Sequence, residues 1–344
     1  MNDLAIFIWP WYVPADPLPV LQGLKDKGIT VVATAQRLMD YDPATDSWKD
    51  LTPFLQAAKS IGLKTKVGIW ADTKWVDWIP NDLRIVDGNA KAGTIISGHL
   101  NIFHPHAIDL LEWFGTEIAT KYKGLVDIYA LATNISMEVD LHNYATIKAD
   151  DPDLKRKIRA MVDEAIDDFA KAVVAVDSTP LVGPQVGSMV HAHEGRLSWP
   201  LGPKYTALFT GDAQIPDAWA VDAGFTDHFE LCAFAADVML GSGASYTQSE
   251  IMWDGNELDE AAIEQSAWIL ADRGVTFNII SLNSLEAVEK YPALVAKLAE
   301  IAQRHNPVEP VGATVIGTYS DIIGKWRDAG GGVRKPVPVI IIDE

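Results

Sequence analysis

The 344-residue sequence predicts an α/β fold, a (β/α)8 TIM barrel with a short C-terminal extension. Short apolar runs, which we interpret as strands, alternate along the chain with segments of helical periodicity. Most of these runs are apolar without a strict polar alternation, which is typical of parallel strands buried on both faces. We place the eight predicted strands at residues 4–9, 29–36, 64–70, 126–134, 180–186, 228–233, 245–253 and 275–283.

The segments between the predicted strands carry helix signals. "PLPVLQGLKDKG" has proline near its start and glycine at its end, and "LTPFLQAAKSIG" ends in the same way. Longer segments at 106–124, 151–176, 259–274 and 284–305 keep apolar residues three and four positions apart. Only residues 187–227 lack a clear helix, because proline, glycine and tryptophan interrupt them.

A doubly wound open sheet is the alternative for such an alternation. It would carry a glycine-rich phosphate turn after its first strand, and "IWPWYVPADP" has none. We therefore predict one barrel domain over residues 1–305. Residues 306–344 form a predicted strand, short helix and strand, too few for a separate core. They are either an extension that packs on the barrel or the start of a truncated second domain.

Composition and charge exclude several classes of function. The net charge is −19, so binding to nucleic acid or to an anionic membrane is not expected. No apolar stretch reaches the roughly 18 residues of a membrane-spanning helix. The N-terminus lacks the features of a signal peptide, which leaves a cytoplasmic protein or the mature form of an exported one. The single cysteine, Cys232, lies in an apolar run and is predicted to be a core residue.

Tryptophan is frequent, with 12 residues, and several follow predicted strands. Indole rings are flat and apolar and suit stacking on the C–H face of a sugar, although a single tryptophan is more often a core residue. We expect four of them to form stacking walls for a carbohydrate: Trp9, Trp11, Trp70 and Trp253.

Two glutamates lie at the carboxyl ends of predicted strands, where the active sites of this fold are found. Glu138 follows the fourth predicted strand and Glu250 lies in the seventh. Strands four and seven stand on opposite sides of the barrel mouth, so the two side chains can face each other across a ligand. Cleavage of a glycosidic bond needs two such groups, one protonated and one ionised.

With these residues in these strands, the sequence resembles the clan A retaining glycoside hydrolases, which share a (β/α)8 barrel. Residues 88–134 are similar to the region before strand four in family 42 β-galactosidase-like members. The resemblance implies that Glu138 is the acid/base, that Glu250 is the nucleophile and that Arg37 contacts the nucleophile. It implies a carbohydrate substrate and no cofactor. The chain departs from the clan in having Met137 where asparagine usually precedes the acid/base.

Three further polar residues at strand ends are expected to contact the substrate: Asn134, Gln185 and Asn283. Two other functions stay open. A carbohydrate-binding barrel without catalysis would keep the tryptophans but would need no pair of glutamates. A metal-dependent hydrolase could use the H-x-H motifs at 104–106 and 191–193, but these lack carboxylate or cysteine partners at fixed spacing, so no metal site is predicted. The sequence does not indicate an oligomeric state.

Overall fold

The protein is described here from a computed structural model. The structure describes residues 3–71, 76–86, 95–100, 104–131, 152–184, 208–212, 224–241, 246–252, 259–304, 315–317 and 319–341.

Eight parallel strands in this part of the chain form a single sheet. They are β1 Leu4–Phe7, β2 Val31–Arg37, β3 Lys64–Trp70, β4 Ile128–Leu131, β5 Leu181–Pro184, β6 Leu208–Asp212, β7 Tyr246–Met252 and β8 Thr276–Ile280. The hydrogen-bonded order runs β6-β7-β8-β1-β2-β3-β4-β5, so the chain order is unbroken and β8 pairs with β1. The two ends of this order, β5 and β6, lie against each other. The sheet therefore curls into the (β/α)8 barrel that the sequence predicts.

The described helices are α1 Pro17–Asp26, α2 Thr52–Ser60, α3 Pro105–Lys121, α4 Pro152–Val176, α5 His228–Gly241, α6 Glu260–Asp272, α7 Ser284–Lys290, α8 Pro292–Arg304 and α9 Tyr319–Asp328. Neighbouring helices pack in pairs around the sheet, α1 on α2, α3 on α4 and α5 on α6. The helix predicted over 284–305 is two helices, because Pro292 interrupts the pattern. Within the described residues, none of the helices combines the length and apolarity of a membrane-spanning segment.

The faces of the strands divide the interior into two regions. Alternate residues point outward, where they join the helices in one large apolar core: Leu4, Ile6, Val32, Val67, Ile69, Tyr129, Val182, Ile251, Phe277 and Ile279. The other residues point into the barrel: Ala5, Phe7, Ala33, Ala35, Lys66, Ile128, Ala130, Gln248, Glu250, Asn278 and Ile280. Four of these side chains are polar, those of Lys66, Gln248, Glu250 and Asn278. The centre of the barrel is therefore partly hydrophilic.

The predicted sixth strand at 228–233 is wrong, since these residues form the first part of α5. A uniformly apolar run does not distinguish a buried strand from a helix that is buried all round. Residues 231–238 are all buried, because α5 packs on the barrel with one side and is covered by the C-terminal residues on the other. The sixth strand of the barrel is β6, within the stretch that shows no clear sequence pattern.

The C-terminal residues form a small β/α unit. Strands β9 Val315–Gly317 and β10 Val339–Ile341 are parallel, and α9 lies between them in the chain. The unit contacts α5, and Trp326 of α9 packs edge-on against Phe234 with ring centroids 5.4 Å apart. Gly241 at the end of α5 has no side chain, and a Cβ atom there would lie only 2.1 Å from the Val339 carbonyl oxygen. The close approach of α5 and β10 therefore requires glycine.

Candidate functional site

Aromatic rings gather beyond the carboxyl ends of β1 and β3. The rings of Trp9 and Trp11 are stacked, with centroids 4.8 Å apart and 14° between their planes. The ring of Trp70 is parallel to the ring of Phe7, with centroids 5.4 Å apart. It is edge-on to the ring of Trp9, also with centroids 5.4 Å apart. The Trp9 indole Nε1 donates to the Ser281 carbonyl oxygen at 2.8 Å, just after β8. Three of the four tryptophans predicted to bind sugar therefore share one wall of the barrel mouth.

Arg37, at the end of β2, joins this wall through Trp11. Its Cζ atom lies 4.9 Å from the centre of the Trp11 ring. Nη2 and Nε donate to the Asp40 carboxylate at 2.6 and 3.1 Å. Its hydrogen bonds to other described residues all go to Asp40, so the contact with Glu250 implied by the resemblance stays a prediction. The pair with Asp40 holds the guanidinium group over the indole.

Trp70 lies across the interior because Gly68 leaves room for it. Both residues belong to the inward face of β3, and a Cβ atom at Gly68 would lie 2.5 Å from the Trp70 Nε1 atom. That Nε1 atom is buried and has no hydrogen-bond partner within the described residues. A buried donor without a partner is costly, and such a group is normally satisfied by a hydroxyl or a water.

Glu250 lies on the inward face of β7 and is half-buried. Its neighbour Ile251 points outward into the main core, as the alternation of a strand requires. In the sheet, Glu250 is the partner of Asn278 on β8 and of Asp212 on β6. The predicted nucleophile is thus inside the barrel, in the strand where the resemblance expects it.

A lysine lies close to this glutamate. Lys66, on the inward face of β3, is 2% exposed. Its Nζ atom donates to Gln248 Oε1 on β7 at 2.5 Å, which places the ammonium group across the barrel. Burial lowers the pKa of Lys66 to about 8, and the Glu250 carboxylate opposes that shift by favouring the charged form. The ammonium form therefore predominates at neutral pH.

Two buried amides complete the polar interior. Neither amide atom of Asn278 has a hydrogen-bond partner among the described residues, nor has the Gln248 Nε2 atom. Both side chains are fully buried. Polar groups of this kind are normally satisfied by water or by a ligand, so the space around Glu250 is suited to hydroxyl groups.

The other predicted site residues divide into two groups. Glu138, Asn134, Gln185 and Trp253 lie outside the described residues. Asn283 is described, and it caps α7, where its side chain accepts from the Glu286 backbone N–H at 3.4 Å. Its contact with substrate therefore stays a prediction, while its helix-capping role is visible.

The histidine motif at 104–106 opens a helix. His104 caps α3 by accepting from the His106 backbone N–H at 3.3 Å. Over the parts of the chain that the structure describes, no three histidine, cysteine, aspartate or glutamate side chains come together as metal ligands. Residues 191–193 lie outside the described ranges. Cys232 is buried in α5, and burial raises the pKa of its thiol to about 12.

Lys66 and Asn278 were not predicted from the sequence as residues of the site. A signal for Lys66 exists in "KTKVGIW", where Lys66, Gly68 and Trp70 share one face of the strand and Thr65, Val67 and Ile69 share the other. A lysine in the middle of a buried strand is unusual and points to a charged partner across the barrel. That partner is Glu250 on β7. It lies 184 positions further along the chain, so the spacing of residues in the sequence does not identify it.

Comparisons with known proteins agree with this architecture. No protein-family model matches the chain, and no curated protein matches it. Among solved structures, a β-galactosidase from the psychrophilic Marinomonas ef1 superimposes with a TM-score of 0.65 at 13% identity, over 98% of this chain and 70% of that one. The catalytic domain of a β-amylase from Paenibacillus polymyxa gives a TM-score of 0.64 at 12% identity, over 89% of this chain and 99% of that one.

A third structure, GH5_18 from Streptomyces cattleya in complex with GlcNAc, gives a TM-score of 0.64 at 11% identity, over 99% of this chain and 94% of that one. The chain thus has the fold of the clan A (β/α)8 glycoside hydrolases, as the sequence resemblance predicts. At these identities the likeness concerns the fold, and activity has to be argued from the site.

Proposed function

We propose that the protein is a retaining glycoside hydrolase in which Glu250 is the nucleophile and Glu138 the acid/base. The observation that carries the proposal is the position of Glu250, a half-buried carboxylate on the inward face of β7. The buried ammonium group of Lys66 contacts the same strand at Gln248, two residues before Glu250, and an aromatic wall stands at the barrel mouth. A carboxylate inside the barrel near an apolar sugar-stacking surface suits attack on an anomeric carbon.

The chemistry has two steps. Glu138 gives its proton to the leaving oxygen while Glu250 forms a bond to the anomeric carbon, and the glycosidic bond breaks. Glu138, now ionised, then takes a proton from a water molecule, which attacks the same carbon and displaces the Glu250 carboxylate.

The substrate in this proposal is a neutral oligosaccharide or polysaccharide. The stacked rings of Trp9 and Trp11 offer a flat apolar surface, and the unpartnered N–H of Trp70 offers a donor. Similar folds belong to proteins described as a β-galactosidase and a β-amylase and to one solved with GlcNAc. The sugar and its linkage are best found by testing a panel of substrates.

A covalent trap tests the mechanism. We expect a 2-deoxy-2-fluoro glycosyl fluoride of the preferred sugar to inactivate the protein and to leave one glycosyl group on the peptide that contains Glu250. The fluorine slows both steps, while the reactive leaving group keeps the first step the faster one, so the intermediate accumulates. Peptide mass spectrometry after digestion measures the labelled position.

Product stereochemistry provides the check on this test. Proton NMR of the first sugar released should show the anomer of the substrate, because two displacements restore the configuration. An inverted product, or a label on a peptide without Glu250, would contradict the retaining mechanism. Binding of glycosides without any turnover would instead favour the carbohydrate-binding barrel.

Trp11 is expected to contribute binding rather than chemistry. Its side chain is 50% exposed at the barrel mouth and stacks on Trp9. Replacing Trp11 with alanine should raise KM about fivefold with little change in kcat, since a lost aromatic contact is worth roughly 1 kcal/mol. Initial rates over a range of substrate concentrations measure both constants.

Trp268 provides the matched control for this change. It is 37% exposed and lies in the second half of α6, on the outer layer of the barrel. The Trp268→Ala protein should keep the KM of the unmodified protein. Equal effects of the two substitutions would remove Trp11 from the proposed binding wall.

A further inference from the structure

The interior of the barrel contains one described lysine whose position the proposed mechanism does not require. Lys66 is enclosed between the apolar neighbours on its own face of the sheet, Ala33 on β2 and Ile128 on β4. Its Nζ atom reaches across the barrel to Gln248 Oε1 at 2.5 Å. Gln248 is two residues before Glu250 and on the same face of β7. The hydrogen bond therefore anchors the ammonium group on the strand that carries the predicted nucleophile.

Few other charged groups face Lys66. Among the described inward positions, β1, β4, β5 and β8 supply no acidic or basic side chain: Ala5, Phe7, Ile128, Ala130, Leu181, Gly183, Thr276, Asn278 and Ile280. On β2, Arg37 is at the mouth and is paired with Asp40. On β3, Lys64 is exposed at the opposite end of the barrel and is paired with Asp3. On β7, Tyr246 is uncharged, because burial raises its pKa. On β6, Asp212 occupies the register position beside Glu250. The Glu250 carboxylate favours the ammonium form of Lys66.

We propose that Lys66 is a positioning residue for Glu250, whose ammonium group, held by Gln248, keeps the Glu250 carboxylate ionised and ready to attack. The inference rests on the proposed function and deepens it by adding a cation that the clan resemblance does not supply. Arg37, the residue implied for that role, donates to Asp40 in this structure.

The physical basis is the exclusion of solvent from the barrel interior, where Lys66 is 2% exposed. A positive charge near a carboxylate favours its ionised form, and the effect is larger where water is scarce. Burial acts against the lysine itself and lowers its pKa to about 8, so the ammonium group persists through the acidic and neutral range. The effect on Glu250 is thus present at the pH where a glutamate would otherwise take up a proton.

A pH profile of kcat/KM tests the inference. In the Lys66→Met protein, whose side chain has similar length and no charge, the acid limb should move to higher pH by at least about one unit. At a pH on that limb, kcat/KM divided by its value at each protein's own optimum should be about tenfold lower in Lys66→Met than in the unmodified protein. The Lys64→Met protein has the same change two residues away on β3, at an exposed position, and should keep the original profile. An unmoved acid limb in Lys66→Met would overturn the proposal.

A second measurement does not depend on hydrolysis. In protein labelled with 13C at the lysine ε carbon, the Lys66 signal is identified by its absence in Lys66→Arg. It should titrate near pH 8 in the unmodified protein. In Glu250→Gln the midpoint should fall by at least about one unit, because a neutral amide no longer favours the ammonium form. An unchanged midpoint would overturn the proposal, even if Lys66→Met failed to fold.

The two measurements separate this inference from the proposed function. If no glycoside is hydrolysed and the Lys66 midpoint falls in Glu250→Gln, the proposed function fails while the coupling of the two charges stands. If glycosides are hydrolysed and neither the acid limb nor the midpoint responds, the hydrolase stands and the role of Lys66 is rejected.

Discussion

Replacing Glu250 with glutamine should lower kcat for the best glycoside by about 10³-fold or more, the scale seen when a group that acts in the chemical step is removed. The amide has nearly the same shape as the carboxylate, but it is neutral and a poor nucleophile. It can neither form the glycosyl intermediate nor stabilise the cationic transition state. Release of nitrophenol from an aryl glycoside measures the loss.

A binding measurement and a control substitution on the surface distinguish loss of catalysis from loss of folding. The Glu250→Gln protein should still bind the substrate in calorimetry, because the aromatic wall at the mouth is unchanged. Glu289→Gln makes the same chemical change at a side chain that is 72% exposed, on α7, and should leave kcat unchanged. A Glu250→Gln protein with kcat within tenfold of the original would reject Glu250 as the nucleophile.

Replacing Asp237 with alanine should lower the free energy of unfolding by about 3–5 kcal/mol. Asp237 is fully buried in α5 and accepts from Arg273 Nε and from Trp326 Nε1, both at 2.8 Å. Without the carboxylate, the buried Arg273 guanidinium has no opposite charge, and the indole of α9 loses its acceptor. Urea unfolding, followed by tryptophan fluorescence, measures the change.

A surface ion pair is the control for this substitution. Asp168 on α4 pairs with the exposed Lys171 at 2.8 Å, and Asp168→Ala should cost less than about 1 kcal/mol. Replacing both buried partners, with Asp237→Leu and Arg273→Met, should recover part of the stability lost in Asp237→Ala, since no lone charge is then buried. Equal losses at the buried and the surface site would contradict the role assigned to the Asp237 network.

The fold was largely predictable because its strands and helices are marked by local signals. Seven of the eight predicted strands overlap barrel strands, and the proline and glycine positions that bound α1 and α2 are read directly from the sequence. The error at 228–233 has a tertiary cause. The apolar surface of α5 is covered on both sides, by the barrel and by α9 and β10, so the helix lacks the polar face that would have identified it.

The candidate site was predictable in part, for a similar reason. Trp9, Trp11 and Trp70 follow or end strands, and a barrel brings the carboxyl ends of its strands to one mouth. Lys66 and Gln248 meet in the middle of the barrel, where contact depends on which strands face each other and on the reach of a long side chain. Such pairings between distant parts of the chain leave no local pattern.

The position of α5 also bears on how the protein reaches its native state. Its contacts with the C-terminal unit join residues far apart in the chain, such as Asp237 with Trp326 and Glu230 with Arg327. During synthesis, α5 leaves the ribosome about 90 residues before α9, a delay of several seconds at ordinary elongation rates. Through that interval the outer apolar face of α5 is uncovered, so the nascent chain is prone to aggregation and to chaperone binding until α9 has been made.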